Sequence, residues 1–268
     1  MVLEQIFKVK WIERKEHAFF LGFIYCLIGF VSAKLIFPAS VGLMSVAFTS
    51  ILLIPSLAIL LKMEENVEIR ENKLSLRMLF RDHKDIFKVY IFMFLGIFLA
   101  YSLIALFMPE VMIKKLFTTQ LTAAGISGFA ANSSLLYEII LNNLLVFIVA
   151  FILSLIYGAG AILFLTWNAS VWGVVFAFFV KQSSNGTGNL ISEFITAIIP
   201  FLPHMTTEAI AYISAAIAGG VVSKAVIREK IFSKKFHHII TDALILLAMG
   251  FILVVIAAIV EVKFLASV

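Results

Sequence analysis

Two constellations in this chain place polar or ionisable side chains inside long apolar stretches. His204, Glu208 and Tyr212 fall at i, i+4 and i+8, on one face of a helix. An imidazole and a carboxylate so spaced can share a metal ion or pass a proton. Two ligands do not make a metal site, and no second His/Asp/Glu pair lies in a matching apolar segment. Neither metal nor cofactor is therefore expected. The competing and favoured reading is a hydrogen-bonded pair that orders the turn at Pro203, with His204 at the helix start. The second constellation is Asn142-Asn143 and Trp167-Asn168. The two asparagines offer carbonyls and amides that could line a polar cavity or, as the better fit, cap the broken backbone of residues 191–203. Asn168 is expected to bond a neighbouring helix, a contact worth about 1 kcal/mol.

These residues need elements to carry them, and the composition says which. The chain has 268 residues, 62% hydrophobic and 14% charged, with 27 Phe. A soluble domain carries about 25% charged residues. The balance fits an all-α, polytopic helical membrane protein with little mass outside the bilayer. Period-2 alternation, the mark of a membrane barrel, is absent. Cys26 is the single cysteine, so an intrachain disulfide is excluded. No cleavable signal peptide is evident: the first apolar run is followed by Lys34, not by a small-residue cleavage site.

About seven spans are expected, near 17–36, 43–61, 89–108, 139–157, 161–180, 204–222 and 241–260. Residues 1–16 read as an interfacial amphipathic segment, with Leu3, Phe7 and Trp11 among lysines and arginines. The stretch 62–88 reads as a basic cytoplasmic loop with an interfacial helix face, and 109–138 as an external loop with some helix. Gly158-Ala159-Gly160 is the natural break in an apolar stretch that would otherwise cross twice. Residues 191–203 close on Pro200 and Pro203, too short for a span, and read as a re-entrant half-helix buried in protein.

Charge placement tests that topology. Four basic residues lie in 1–16, seven in 62–88 and five in 223–240, sixteen of the 21 in the chain. All three segments share the cytoplasmic face if 191–203 does not cross, which leaves the C-terminus outside. The +5 net charge therefore marks orientation in the cell membrane, not nucleic-acid binding. Asn132 and Asn185 head glycosylation acceptor patterns in loops expected outside, a pattern common by chance.

Packing signals accompany the polar ones. Ala211, Ala215 and Gly219 repeat every four residues beside the His204 face, a stripe that lets another helix approach closely, within the chain or between subunits. Asn143, Ala150, Ser154 and Gly158 share one face of the fourth span. Phosphate-loop, zinc-protease and nucleophile-elbow motifs are absent, and no nucleophile–base pair can be named. The chain is accordingly read as not an enzyme.

The order of Asn142-Asn143, Gly158-Ala159-Gly160, Trp167-Asn168 with Gly173, Leu202-Pro203-His204 with Glu208, and Ala218-Gly219-Gly220 resembles the stage II sporulation protein M family. The resemblance is carried by the C-terminal half, with 139–222 as a family-like core of a single domain spanning 1–268. Met205 departs from it, since the family often has glycine after the Pro-His. The resemblance implies an integral membrane protein without known catalysis, similar to a scaffold that recruits envelope-modifying proteins. The expected function is thus a non-enzymatic scaffold in membrane remodelling or envelope organisation, with a membrane or envelope protein or a second copy as partner. Glu208→Gln is expected to impair its folding or its recruitment. The alternative is a small transporter or channel with its polar site at the 191–203 turn.

Overall fold

A chain in hydrocarbon must satisfy its backbone within each segment, so apolar stretches of this length become helices. The computed structural model describes residues 15–68, 76–123, 135–158, 160–183, 189–231 and 233–265. The expected interfacial segment up to residue 14 and both glycosylation patterns lie outside the described residues. Among the described residues ten α-helices follow in order: α1 Lys15–Ile36, α2 Val41–Glu68, α3 Leu76–Phe107, α4 Glu110–Leu116, α5 Thr118–Ala123, α6 Leu135–Tyr157, α7 Ile162–Ser183, α8 Leu190–Ile198, α9 Leu202–Arg228 and α10 Lys234–Leu265. The described residues contain no strand.

Among the described residues six helical stretches are long and apolar enough to cross a membrane, and α2 adds the shorter apolar run Val41–Leu57. The seven expected spans coincide with α1, α2, α3, α6, α7, α9 and α10. Helices α2 and α3 extend well into the stretch expected as a loop, to Glu68 and from Leu76. Lys and Glu are good helix formers, so polar sequence at a span's end continues the helix into water. On this extension Lys88 pairs with Asp85 at 2.9 Å. Serines and threonines inside the bundle satisfy their hydroxyls locally: Thr49 donates to Ser45 O and Ser102 to Phe98 O, each at 2.7 Å.

The break in the long apolar stretch falls where glycine allows it. Gly158 has φ +68°, a left-handed conformation that ends α6 one residue after Tyr157. Ser154 Oγ accepts from the backbone N–H of Ala161 at 3.2 Å, fixing the return into α7. A Cβ on Gly160 would lie 2.5 Å from Leu153 O.

Close backbone crossings set the bundle. A Cβ on Gly22 of α1 would strike Met93 O of α3, and one on Gly96 of α3 would strike Phe19 O of α1. Gly173 of α7 lies against Phe98 O and Ser102 of α3. Helix α9 is the hub, packed most extensively on α10 and α6. Gly219 rests on Phe151 and Ser154 of α6, while Ala211 O and Phe147 both border Gly250 of α10. Moving forward along α9 therefore moves forward along α6, so these two helices run parallel. His204 meets Ala257 while Ala211 meets Gly250, so α10 runs antiparallel to α9. One end of the bundle thus carries the starts of α6 and α9 and the end of α10.

The segment 191–203 is helical throughout. Asn189 caps α8 by accepting from the N–H groups of Ile191 (3.1 Å) and Ser192 (3.5 Å). A single 3-10 turn, Ile199–Phe201, carries Pro200 and leads straight into α9. Leu190–Arg228 forms one apolar helical run of 39 residues. At 1.5 Å per residue that is about 58 Å, nearly twice a hydrocarbon core of about 30 Å. Helix α8 lies along the end of α7: Phe176 meets Phe201 edge-on at 4.7 Å, and Phe194 stacks near Phe98 of α3. Met205 continues α9 without a turn after His204.

Candidate functional site

The start of α9 presents His204, Glu208 and Tyr212 to the bundle interior, all three buried. Pro203 sits in its first turn, where the missing N–H costs no intrahelical bond. The Thr206 and Thr207 hydroxyls donate to the carbonyls of Leu202 (2.6 Å) and Pro203 (2.7 Å), tightening that turn. His204 reaches across to α10. A carbonyl can only accept, so the 3.3 Å contact between His204 Nδ1 and Ala257 O makes Nδ1 the donor. This leaves Nε2 facing carboxyl oxygens of Glu208 at 3.3 Å and Glu261 at 3.6 Å. Tyr212 donates to the other oxygen of Glu208.

With Nδ1 committed, Nε2 and a carboxyl attract each other in two states only. Either an imidazolium faces a carboxylate, or a neutral imidazole accepts from a carboxyl. The cluster is a buried polar joint between α9 and α10, beside the tilted ring of Trp172, whose centroid lies 6.1 Å from that of His204.

This joint forms one wall of a cavity of about 480 Å³ at the bundle end where α6 and α9 begin. The opposite wall is built by Asn142 and Asn143 of α6 and by Trp167 and Asn168 of α7. The polar residues singled out by sequence, scattered over more than sixty positions, thus meet around one space. Glu138, Glu261, Met205 and Trp172 also line it and were not among the predicted site residues. Glu261 sits at a span's edge next to Lys263, where an acid reads as an interfacial residue. Its position near the last turn of an apolar helix was the available signal.

Two expectations are corrected. Asn142 and Asn143 do not cap the 191–203 backbone: Asn142 donates to Asn143 Oδ1 at 3.4 Å, and Asn143 Nδ2 is buried without a hydrogen-bond partner. The segment they were to cap is a helix whose own N-cap is Asn189. Asn168 does not bond a neighbouring helix: its amide donates to Phe164 O of its own helix at 2.9 Å. The Phe164 carbonyl, one turn back, has a second lone pair that takes one of the two amide hydrogens.

The remaining predicted residues lie elsewhere. Gly158 and Gly160 form the α6–α7 turn at the opposite end of the bundle. Ala211, Ala215, Gly219 and Gly220 are buried along α9 beyond the cavity, Gly219 at the crossing with α6 and Ala211 at that with α10. That small-residue stripe is occupied inside the chain, so it is not a surface for a second copy. Among the described residues no group of three His, Cys, Asp or Glu has metal-binding geometry.

An all-helical polytopic bundle with a polar cavity at one end defines the class: a multi-pass integral membrane protein. The chain belongs to the stage II sporulation protein M family, whose model matches residues 18–264. The match takes in the first three spans as well as the C-terminal half. Comparison with curated proteins and with solved structures gave no match.

Proposed function

We propose that this protein is a non-enzymatic membrane scaffold of its family, acting in membrane remodelling or envelope organisation. The observation that carries this reading is the backbone-to-backbone packing of its helices. Glycines at the α1–α3, α3–α7 and α6–α9 crossings bring main chains into direct contact, which favours a fixed platform. Helices α6 and α10 bury the smallest share of their apolar windows, 22% and 33%, so they offer the broadest faces to lipid or to a partner helix. Orientation follows the positive-inside rule, with the N-terminus cytoplasmic and the C-terminus outside. The cavity then opens towards the outer face, and α8 re-enters beside α7 before α9 crosses. The test is crosslinking and co-purification from native membranes, with wild type and Glu208→Leu compared. A stoichiometric envelope protein recovered with the wild type and lost with the variant is expected. Recovery of the chain alone in both overturns the scaffold.

A second reading, a small transporter, is favoured by one observation: His204, Glu208, Asn142 and Asn143 line a single cavity beside a helix broken by prolines. Transporters bind substrate at such broken helices. Solute flux into proteoliposomes that is lost in His204→Ala supports it. Flux equal to empty liposomes over a broad solute panel removes it.

A further inference from the structure

The turn between α9 and α10 gathers charge of one sign. Lys224, Arg228, Lys230, Lys234 and Lys235 fall within twelve residues, and Glu229 is the single acid from 209 to 241. Lys230, Lys234 and Lys235 are exposed, and among the described residues their ammonium groups make no hydrogen bond or ion pair. Lys88 and Lys114, by contrast, hold Asp85 and Glu110.

The turn that presents these lysines is ordered by its own bonds. Ser233 donates its backbone N–H to Lys230 O at 2.9 Å, and its Oγ accepts from Phe236 N at 3.1 Å. Its carbonyl accepts from His237 Nδ1 at 2.9 Å. The ammonium groups are thus carried by a folded turn, which lowers the ordering cost of holding an anion. Apolar side chains sit among the charges. Ile227 is 77% exposed and Ile231 59%, and Ile231 falls between the two apolar helical runs that end at Arg228 and begin at Lys234. At a membrane surface such side chains enter the boundary between headgroups and acyl chains, while neighbouring lysines reach the phosphates.

We infer that the α9–α10 turn binds an anionic phospholipid, its phosphate held by Lys230, Lys234 and Lys235, with Ile227 and Ile231 seating the turn in the membrane surface. The charge complementarity is direct, since basic residues beside a span attract anionic headgroups. Neither the scaffold nor the transporter reading uses these residues. In the proposed orientation the lipid belongs to the inner leaflet. A nanodisc presents the same lipids on both faces, so the test below does not depend on that orientation.

Val226→Cys, at a position 48% exposed and next to Ile227, places a bimane fluorophore beside the turn, and Cys26 is fully buried. The full chain is reconstituted in phosphatidylcholine nanodiscs that contain nitroxide-labelled phosphatidylglycerol or nitroxide-labelled phosphatidylcholine as quencher. Phosphatidylglycerol is expected to reach half-quenching at about one third of the mole fraction that phosphatidylcholine needs, or less. Replacing Lys230, Lys234 and Lys235 together by Gln is expected to abolish this preference. Quenching by phosphatidylcholine should stay as in the unsubstituted turn, which shows that the variant is folded and inserted. A preference that survives the triple substitution overturns the inference. Equal quenching by the two lipids before substitution overturns it too, and leaves an acidic protein segment as the partner for these lysines.

Discussion

Glu261, near the end of α10, presents a carboxyl oxygen 3.6 Å from the Nε2 of His204, near the start of α9. With the His204–Ala257 bond, this joins two antiparallel helices at the end where the cavity lies. The joint depends on hydrogen bonds that Glu208 also serves. A glutamine at 208 can accept from Tyr212 with its carbonyl and donate to Nε2 with its amide; a leucine can do neither. Glu208→Leu is expected to lower stability by about 1–3 kcal/mol and Glu208→Gln by less than about 1. Thermal unfolding in detergent checks the order, and equal losses would show that the bonds do not matter.

Glycine crossings give a second, larger effect. A valine at 219 would meet Phe151 O and Ser154 Cβ of α6. Overpacking of this kind costs about 1–3 kcal/mol or more, so Gly219→Val should lower the unfolding midpoint. At Gly158 the cost is conformational instead, since a Cβ meets only the end of Lys224 at 3.6 Å. Gly158→Ala should cost about 1–2 kcal/mol through its left-handed φ. A midpoint unchanged in either variant contradicts the crossing or the turn concerned.

The proposed orientation is open to cysteine labelling. Cys26 is fully buried, so the background is low. Lys230→Cys, between α9 and α10, and Lys263→Cys, near the end of α10, are exposed positions at opposite ends of one helix. A membrane-impermeant maleimide added to intact cells should label position 263 and spare 230. The reverse pattern inverts the topology.

Outside the spans, Glu110 of α4 is held below the usual carboxylate range, first by a hydrogen bond from Lys114, 2.8 Å away. A depressed carboxyl favours the folded state above its unfolded pKa, and the benefit fades as pH falls through the folded value. Both groups are exposed to water, which screens the pair. Lys114→Met should raise the Glu110 titration midpoint in NMR and leave the thermal midpoint in place. An unmoved titration would exclude the pair as the cause.

The spans were legible because hydrocarbon length and apolar run are the same physical constraint. The polar residues were legible for the same reason, since each stood against an apolar background: Asn142, Asn143, Asn168, His204 and Glu208 all reached the cavity wall. What each one bonds was not legible. Asn168 satisfies itself on Phe164 O, and Asn142 on its neighbour, through geometry that leaves no periodicity in sequence. Glu261 escaped because an acid at a span's edge looks like any interfacial charge. The crossings at Gly22 and Gly96 escaped because single glycines on two helices signal nothing until their partners are known.

The parallel course of α6 and α9 against α10 also sorts the charges. Segments 1–16, 62–88 and 223–240 hold sixteen basic residues against ten acidic ones, and the rest of the chain holds five basic against six acidic. In the proposed orientation those three segments lie in the cytoplasm, so a net charge of +6 falls on that side and the cavity opens on the other, which carries −1. A membrane that is negative inside acts on such a polarised body with roughly 2.3 kcal/mol per elementary charge for each 100 mV. In the proposed orientation the resting potential holds the basic pole in the cytoplasm, so the voltage that energises the membrane also works against inversion of the protein after insertion.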